Sequence, residues 1–137
     1  MSDKEEESWI KAVGTMIYYY LAERTSRRVS GEESETLAGG QFPENPSREL
    51  IKAWEGVSSD LYYRLRSART KRIFAECFTR TVCSIPQGKL NRHLEKIATM
   101  MQSDESWEEL RDVMMLSVSA KSYRRESNNQ KTEESKA

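Results

Sequence analysis

The chain has 137 residues, a length that fits one domain and allows a core to be buried without disulfide or metal staples. Its 22 Lys and Arg offset its 22 Asp and Glu, which excludes a uniformly basic nucleic-acid binder but leaves a dipolar one open. Acids crowd 1–7 and 32–35, cations crowd 24–28 and 64–72, and at a screening length of about 8–10 Å such patches govern contacts more than net charge does.

Residues 1–7 read as a frayed, charged lead-in. A first helix is expected over 8–27, because Trp9, Ile10, Val13, Met16, Ile17, Tyr20 and Leu21 recur at helical spacing and form one stripe. Gly14 weakens that helix by about 1 kcal/mol relative to alanine, which marks it as a place where another helix comes close. Tyr18, Tyr19 and Tyr20 point in three directions, so at least one ring must leave the core. Arg24, Arg27 and Arg28 close the helix, where cations suit the helix dipole and equally suit a phosphate.

Residues 29–46 read as one long loop, broken by Gly39, Gly40, Pro43 and Pro46. Its acidity speaks against contact with nucleic acid, and Phe42 is its expected anchor to the core. A second helix is expected to start with Asn45 as cap and Pro46 at the first helical position. Leu50, Trp54, Val57, Leu61, Leu65 and Ala68 then form a core stripe at spacings of 4, 3, 4, 4 and 3. This helix runs through the basic segment, with a bend near 67–70, into a third helix. That one carries Ile73, Phe74, Cys77, Phe78 and Val82 and ends by Ile85, ahead of Pro86.

A fourth helix is expected over 89–102, with Leu90, Leu94, Ile97, Ala98 and Met101 inward and Lys89, Arg92 and Lys96 on another face. A fifth opens at Ser106 with a capping box to Glu109 and turns Trp107, Leu110, Val113, Met114 and Val118 to the core. From Arg124 the chain is polar and is expected to be disordered. The fold class that follows is all-α: a bundle of four to five helices over 1–123, containing the long loop 29–46, with a disordered C-terminal tail over 124–137.

Little of this sequence carries chemistry. Glycine loops that cradle phosphate are missing, and the lone His93 has neither a partner acid for a triad nor a second ligand for a metal. Cys77 and Cys83 fall about 9 Å apart along one helix and on different faces, so they read as two buried thiols rather than a disulfide. The carboxylates sit in runs that suit a solvated surface. We therefore expect no catalysis, no metal and no cofactor. The acidic start does not resemble a signal peptide, and no apolar run nears the ~18 residues a membrane span needs, so a soluble, cytoplasmic protein without membrane contact is expected.

The positive signal is the stretch 61–87. Arg64, Arg66, Arg69, Lys71 and Arg72 place five cations in nine residues, beside Tyr62 and Tyr63. Arginine outnumbers lysine there by four to one, which suits bidentate contact with phosphate, and neighbouring rings suit stacking on bases. The competing reading pairs these arginines with Glu55, Asp60, Glu76 and the acidic loop.

Phe74, Phe78 and the run 79–87, TRTVCSIPQ, resemble the C-terminal helical region of the large subunits of type I CRISPR effector complexes (Cascade), most closely those of subtype I-B. Trp107, Leu110, Met115, Leu116, Ser119 and Ala120 fit the final helix of that region, so the similarity covers about 48–123. The long N-terminal body of such subunits, with the part that reads the PAM, has no counterpart here. The chain therefore looks like a separately made small subunit translated from an internal start, and a cloned C-terminal fragment would look identical. The resemblance implies a non-catalytic helical bundle, present in two or more copies, that lies against the backbone and large subunits. It implies contact with guide RNA and target DNA, including the displaced strand, so that the R-loop is held while base pairing supplies specificity. From the charge pattern, the residues expected to touch nucleic acid are Arg64, Arg66, Arg69, Lys71 and Arg72, then Arg24, Arg27 and Arg28, with Arg80 and Lys89 beyond them. Two other readings stay open: a helical adaptor that binds only protein, and a small regulator in which the turn at Pro86, Gln87 and Gly88 leads into a DNA-reading helix.

Overall fold

Apolar residues at helical spacing generate α-helices around one core. A computed structural model describes residues 3–79, 82–102 and 105–115 and contains α1 (Asp3–Ser26), α2 (Glu32–Ala38), α3 (Arg48–Arg64), α4 (Ala68–Phe74), α5 (Gln87–Met101) and a last helix, α6, over 105–115. A π-helical turn (Ala75–Thr79) prolongs α4, and a short 3-10 turn (Val82–Ser84) leads towards α5. The described residues include no strand, and none of their helices is long and apolar enough to cross a membrane. The all-α class expected from the sequence is the class observed. Val118 and the tail expected from Arg124 lie outside the described residues.

Helix α1 is the central rod, packed on α5, α2 and α3. It begins at Asp3 rather than Ser8, because the Lys and Glu of the lead-in are good helix formers. Gly14 does mark a close approach: a Cβ there would stand 3.4 Å from the Cβ of Leu94, so α1 and α5 cross with little between them. Trp54 of α3 is fully buried beneath Phe42, whose ring lies 4.9 Å away, with Tyr18 at 6.2 Å and Phe78 at 6.1 Å. Each such pair contributes roughly 0.5–1.5 kcal/mol beyond the burial of its area. Trp9 and Trp107, 5.8 Å apart and edge to face, tie the start of α1 to α6. Of the three consecutive tyrosines, Tyr18 and Tyr20 are buried and Tyr19 points outward.

Four expectations are corrected. Residues 29–46 are not one loop, because α2 forms inside them. Glu32, Glu33 and Glu35 occupy its first turn, where negative charge is favoured, and Leu37 is buried as its anchor. Gly40, at φ +85°, ends α2: its N–H reaches the Leu37 carbonyl at 3.0 Å and the Gln41 N–H reaches that of Thr36 at 3.1 Å, a left-handed cap that favours glycine. Second, Ser47, not Asn45, caps α3. Its hydroxyl accepts the Leu50 N–H at 3.2 Å, and the Glu33 carboxylate holds Ser47 in place by accepting its N–H at 2.9 Å. Third, the basic segment does not continue the helix. The chain leaves helical geometry at Leu65, with ψ 140°, and Ser67 starts α4 afresh by accepting the Thr70 N–H. A serine in this position competes for backbone amides that a continuous helix would use. Ala68, assigned to the core stripe, is exposed as a result, while Leu50, Trp54, Val57, Leu61 and Leu65 are buried. Fourth, Ser106 is not the residue before a helix, since 105 is already helical and Glu109 turns to another element.

Candidate nucleic-acid interface

The break at Leu65 creates a corner between α3 and α4, and the cations fall on it. Buried Leu65, Thr70, Ile73 and Phe74 fix its inner side. Arg64 ends α3, Arg66 lies in the break, and Arg69, Lys71 and Arg72 belong to α4. Arg66 is therefore not on one helical face with Arg69 and Arg72, as a continuous helix would have required; only Arg69 and Arg72, three apart on α4, share a face. Arg64, Arg66, Arg69 and Arg72 are exposed, and Lys71 is half-buried with Nζ 5.6 Å from the centre of the Tyr62 ring. Tyr62 meets Tyr63 edge to face at 5.3 Å, and Tyr63 is 76 % exposed at the mouth of the corner.

A carboxylate from a distant part of the chain holds the corner. Glu109 of α6 accepts the N–H of Arg66 and, at 2.8 Å, the N–H of Ser67 with one oxygen; the other accepts the Thr70 hydroxyl at 2.9 Å. Burial raises the Glu109 pKa, but the Ser67 and Arg66 amides, the Thr70 hydroxyl and the Arg66 charge outweigh it and hold the group below its ordinary value. The spacing of Ser106 and Glu109 predicts a capping box within α6, whereas the Glu109 carboxylate accepts hydrogen bonds from Ser67 and Thr70. Nothing in the spacing of 106–109 shows that it caps another helix instead.

The second cationic group is already engaged. Arg24 lies over the Tyr20 ring at 4.7 Å, Arg27 pairs with Glu23 at 2.7 Å, and Arg28 pairs with Asp60 at 2.7 Å. Arg28 crosses α3 so closely that a Cβ on Gly56 would stand 2.8 Å from its Nη1. Asp60 is one turn before Arg64 on α3, so the Arg28 pair reaches the flank of the corner. Asp60, expected to pair with an arginine of 64–72, pairs instead with Arg28. Both pairs are largely solvent-exposed, where an ion pair contributes only about 0.2–1 kcal/mol. Lys89 is exposed in the first turn of α5, apart from this group in sequence, and Arg80 lies outside the described residues.

Elsewhere the groups that could carry chemistry are quiet. Cys77 and Cys83 are buried free thiols; burial pushes Cys83 up to about 12 and raises Cys77, so neither is a thiolate at neutral pH. Cys77 Sγ instead lies 3.4 Å from the Met100 sulfur. No cluster of three or more His, Cys, Asp or Glu side chains suited to a metal occurs among the described residues. A cleft of about 690 Å³ opens between α1 and α5 with Lys11 and Glu95 on its walls, and it shares no residue with the corner.

A family model described as the type I-B CRISPR Cas8b C-terminal domain matches residues 1–121. The match includes α1 and α2, which the resemblance read from the sequence, over 48–123, had left out. No curated protein and no solved structure matches the chain.

Proposed function

The chain belongs to the Cas8b C-terminal domain family of type I-B CRISPR, and from that premise we propose that it serves as a non-catalytic small subunit of the Cascade complex. In this reading it packs beside the backbone and large subunits, with further copies of itself, and steadies the R-loop through contacts to sugar and phosphate of guide RNA and target DNA. The observation that supports it is the α3–α4 corner, where four exposed arginines and Lys71 converge beside an exposed ring within a domain of this family. Guanidinium groups contact phosphate in a bidentate way without reading bases, which suits a complex whose specificity resides in the guide. Arg64, Arg66, Arg69, Lys71 and Arg72 form the main contact in this proposal. Arg24, Arg27 and Arg28 supply a secondary one after exchanging weak internal partners for phosphate, and Arg80 and Lys89 extend it.

The test is co-purification of the chain with guide-bound backbone subunits, counting copies with and without target DNA. The proposal predicts stable incorporation and firmer retention once target is bound. A chain that never enters the complex would refute it. A chain that enters, and holds target equally well after charge reversal of the corner, would leave the adaptor role instead.

A further inference from the structure

The hydrogen bonds of Glu109 point to a role that the charge pattern does not contain. Resting on the nucleic-acid reading of the corner, we propose that Glu109 is a positioning residue: it fastens α6 to the α3–α4 break and thereby sets the angle at which Arg66 and Arg69 are presented. Three donors from three residues converge on its two oxygens, and two of those donors are backbone amides. Those amides belong to the residues between the last residue of α3 and the first of α4, so the carboxylate defines where one helix stops and the next begins. The hold is reinforced on the inside by buried Leu65 and on the flank by Lys71 over Tyr62. Buried Ile73 and Phe74 hold the later part of α4 in the core, so the Glu109 contacts act on its first turn, where Arg69 lies. The competing role for the same carboxylate is a shield that neutralises Arg66 and weakens the patch.

The two roles predict opposite signs. Glu109→Ala removes both the charge and the acceptors; Glu109→Gln removes the charge and keeps an acceptor oxygen for the Ser67 and Arg66 amides. Each full-length variant is incorporated into guide-bound complex, and target retention is followed as a function of salt. Positioning predicts that Glu109→Ala lowers the salt slope by about 0.7–0.9, the equivalent of one phosphate released, although a negative charge has gone, and that Glu109→Gln retains the slope of the parent. Amide exchange at 66, 67 and 70 should rise about tenfold or more in Glu109→Ala, with exchange around Trp54 and Phe78 unchanged. Tighter retention in both variants identifies the shield and overturns the proposal. Faster exchange with an unchanged slope identifies a plain helix cap and also overturns it. Absence of salt-dependent retention in the parent protein condemns the nucleic-acid reading itself. Should Glu109→Ala fail to fold, Thr70→Val, which deletes one of the three donors, gives the same comparison.

Discussion

Gly56→Ala separates the stabilising from the binding role of Arg28. A Cβ at 56 would stand 2.8 Å from Arg28 Nη1, the far end of a flexible side chain, so Arg28 swings aside and its pair with Asp60 opens. The two effects oppose each other. Alanine in the interior of α3 gains about 1 kcal/mol over glycine. The lost pair, with side chains 48 % and 58 % exposed, is worth roughly 0.2–1 kcal/mol. The net is a stabilisation between zero and about 0.8 kcal/mol, or a rise in Tm of up to about 3 °C for a domain of this size. Urea denaturation followed by circular dichroism measures it, with Arg28→Ala, expected to cost at most about 1 kcal/mol, as reference. If Gly56→Ala destabilises by more than about 1 kcal/mol, the pair is a brace of the fold and Arg28 is not available to exchange Asp60 for a phosphate.

Other outcomes follow from the same geometry. Phe42→Ala should cost about 3–5 kcal/mol in urea denaturation, because the ring is buried against Trp54; a cost under about 1 kcal/mol would mean that the segment after α2 is no part of the core. Cys77 and Cys83 should resist a thiol reagent at pH 8 in the folded protein and react fully in denaturant; rapid reaction of the native form would contradict their burial. The depressed Glu109 carboxyl binds its proton more readily in the unfolded chain, so its contribution to stability is complete above its ordinary value of 4.5 and fades as pH falls through the folded value. The stability gap between parent and Glu109→Ala should therefore close in acid, and a gap that stays constant down to pH 2 would exclude the depressed group.

Periodic packing was legible in the sequence; terminations and long-range caps were not. Leu50, Trp54, Val57, Leu61 and Leu65 announce their burial by spacing alone, as do Leu90, Leu94, Ile97, Ala98 and Met101, because a helix buries one face. Gly14 announces the α1–α5 crossing, because an interior glycine is unfavourable without such a reason. Helix α2 escaped notice because the single anchor Leu37 makes no stripe, although acids in the first turn followed by two glycines were the available signal. An interruption was legible as a bend near 67–70, but the structure breaks the helix outright at 65–67, where local propensity favours continuing it. The Ser67 cap is local, but Glu109, some forty residues away, is not: its carboxylate accepts the amides of Arg66 and Ser67 that the break exposes. The five cations of the corner were found by composition, but their geometry required that break.

The central claim is that the α3–α4 corner meets a sugar–phosphate strand within the assembled complex. The most direct measurement is the salt dependence of target retention for complexes carrying the parent chain or the triple reversal Arg66→Glu, Arg69→Glu, Arg72→Glu, with incorporation verified in both. The account predicts a slope shallower by about 2 to 3 for the triple reversal, one increment for each phosphate no longer neutralised. Equal slopes in fully assembled complexes would contradict it.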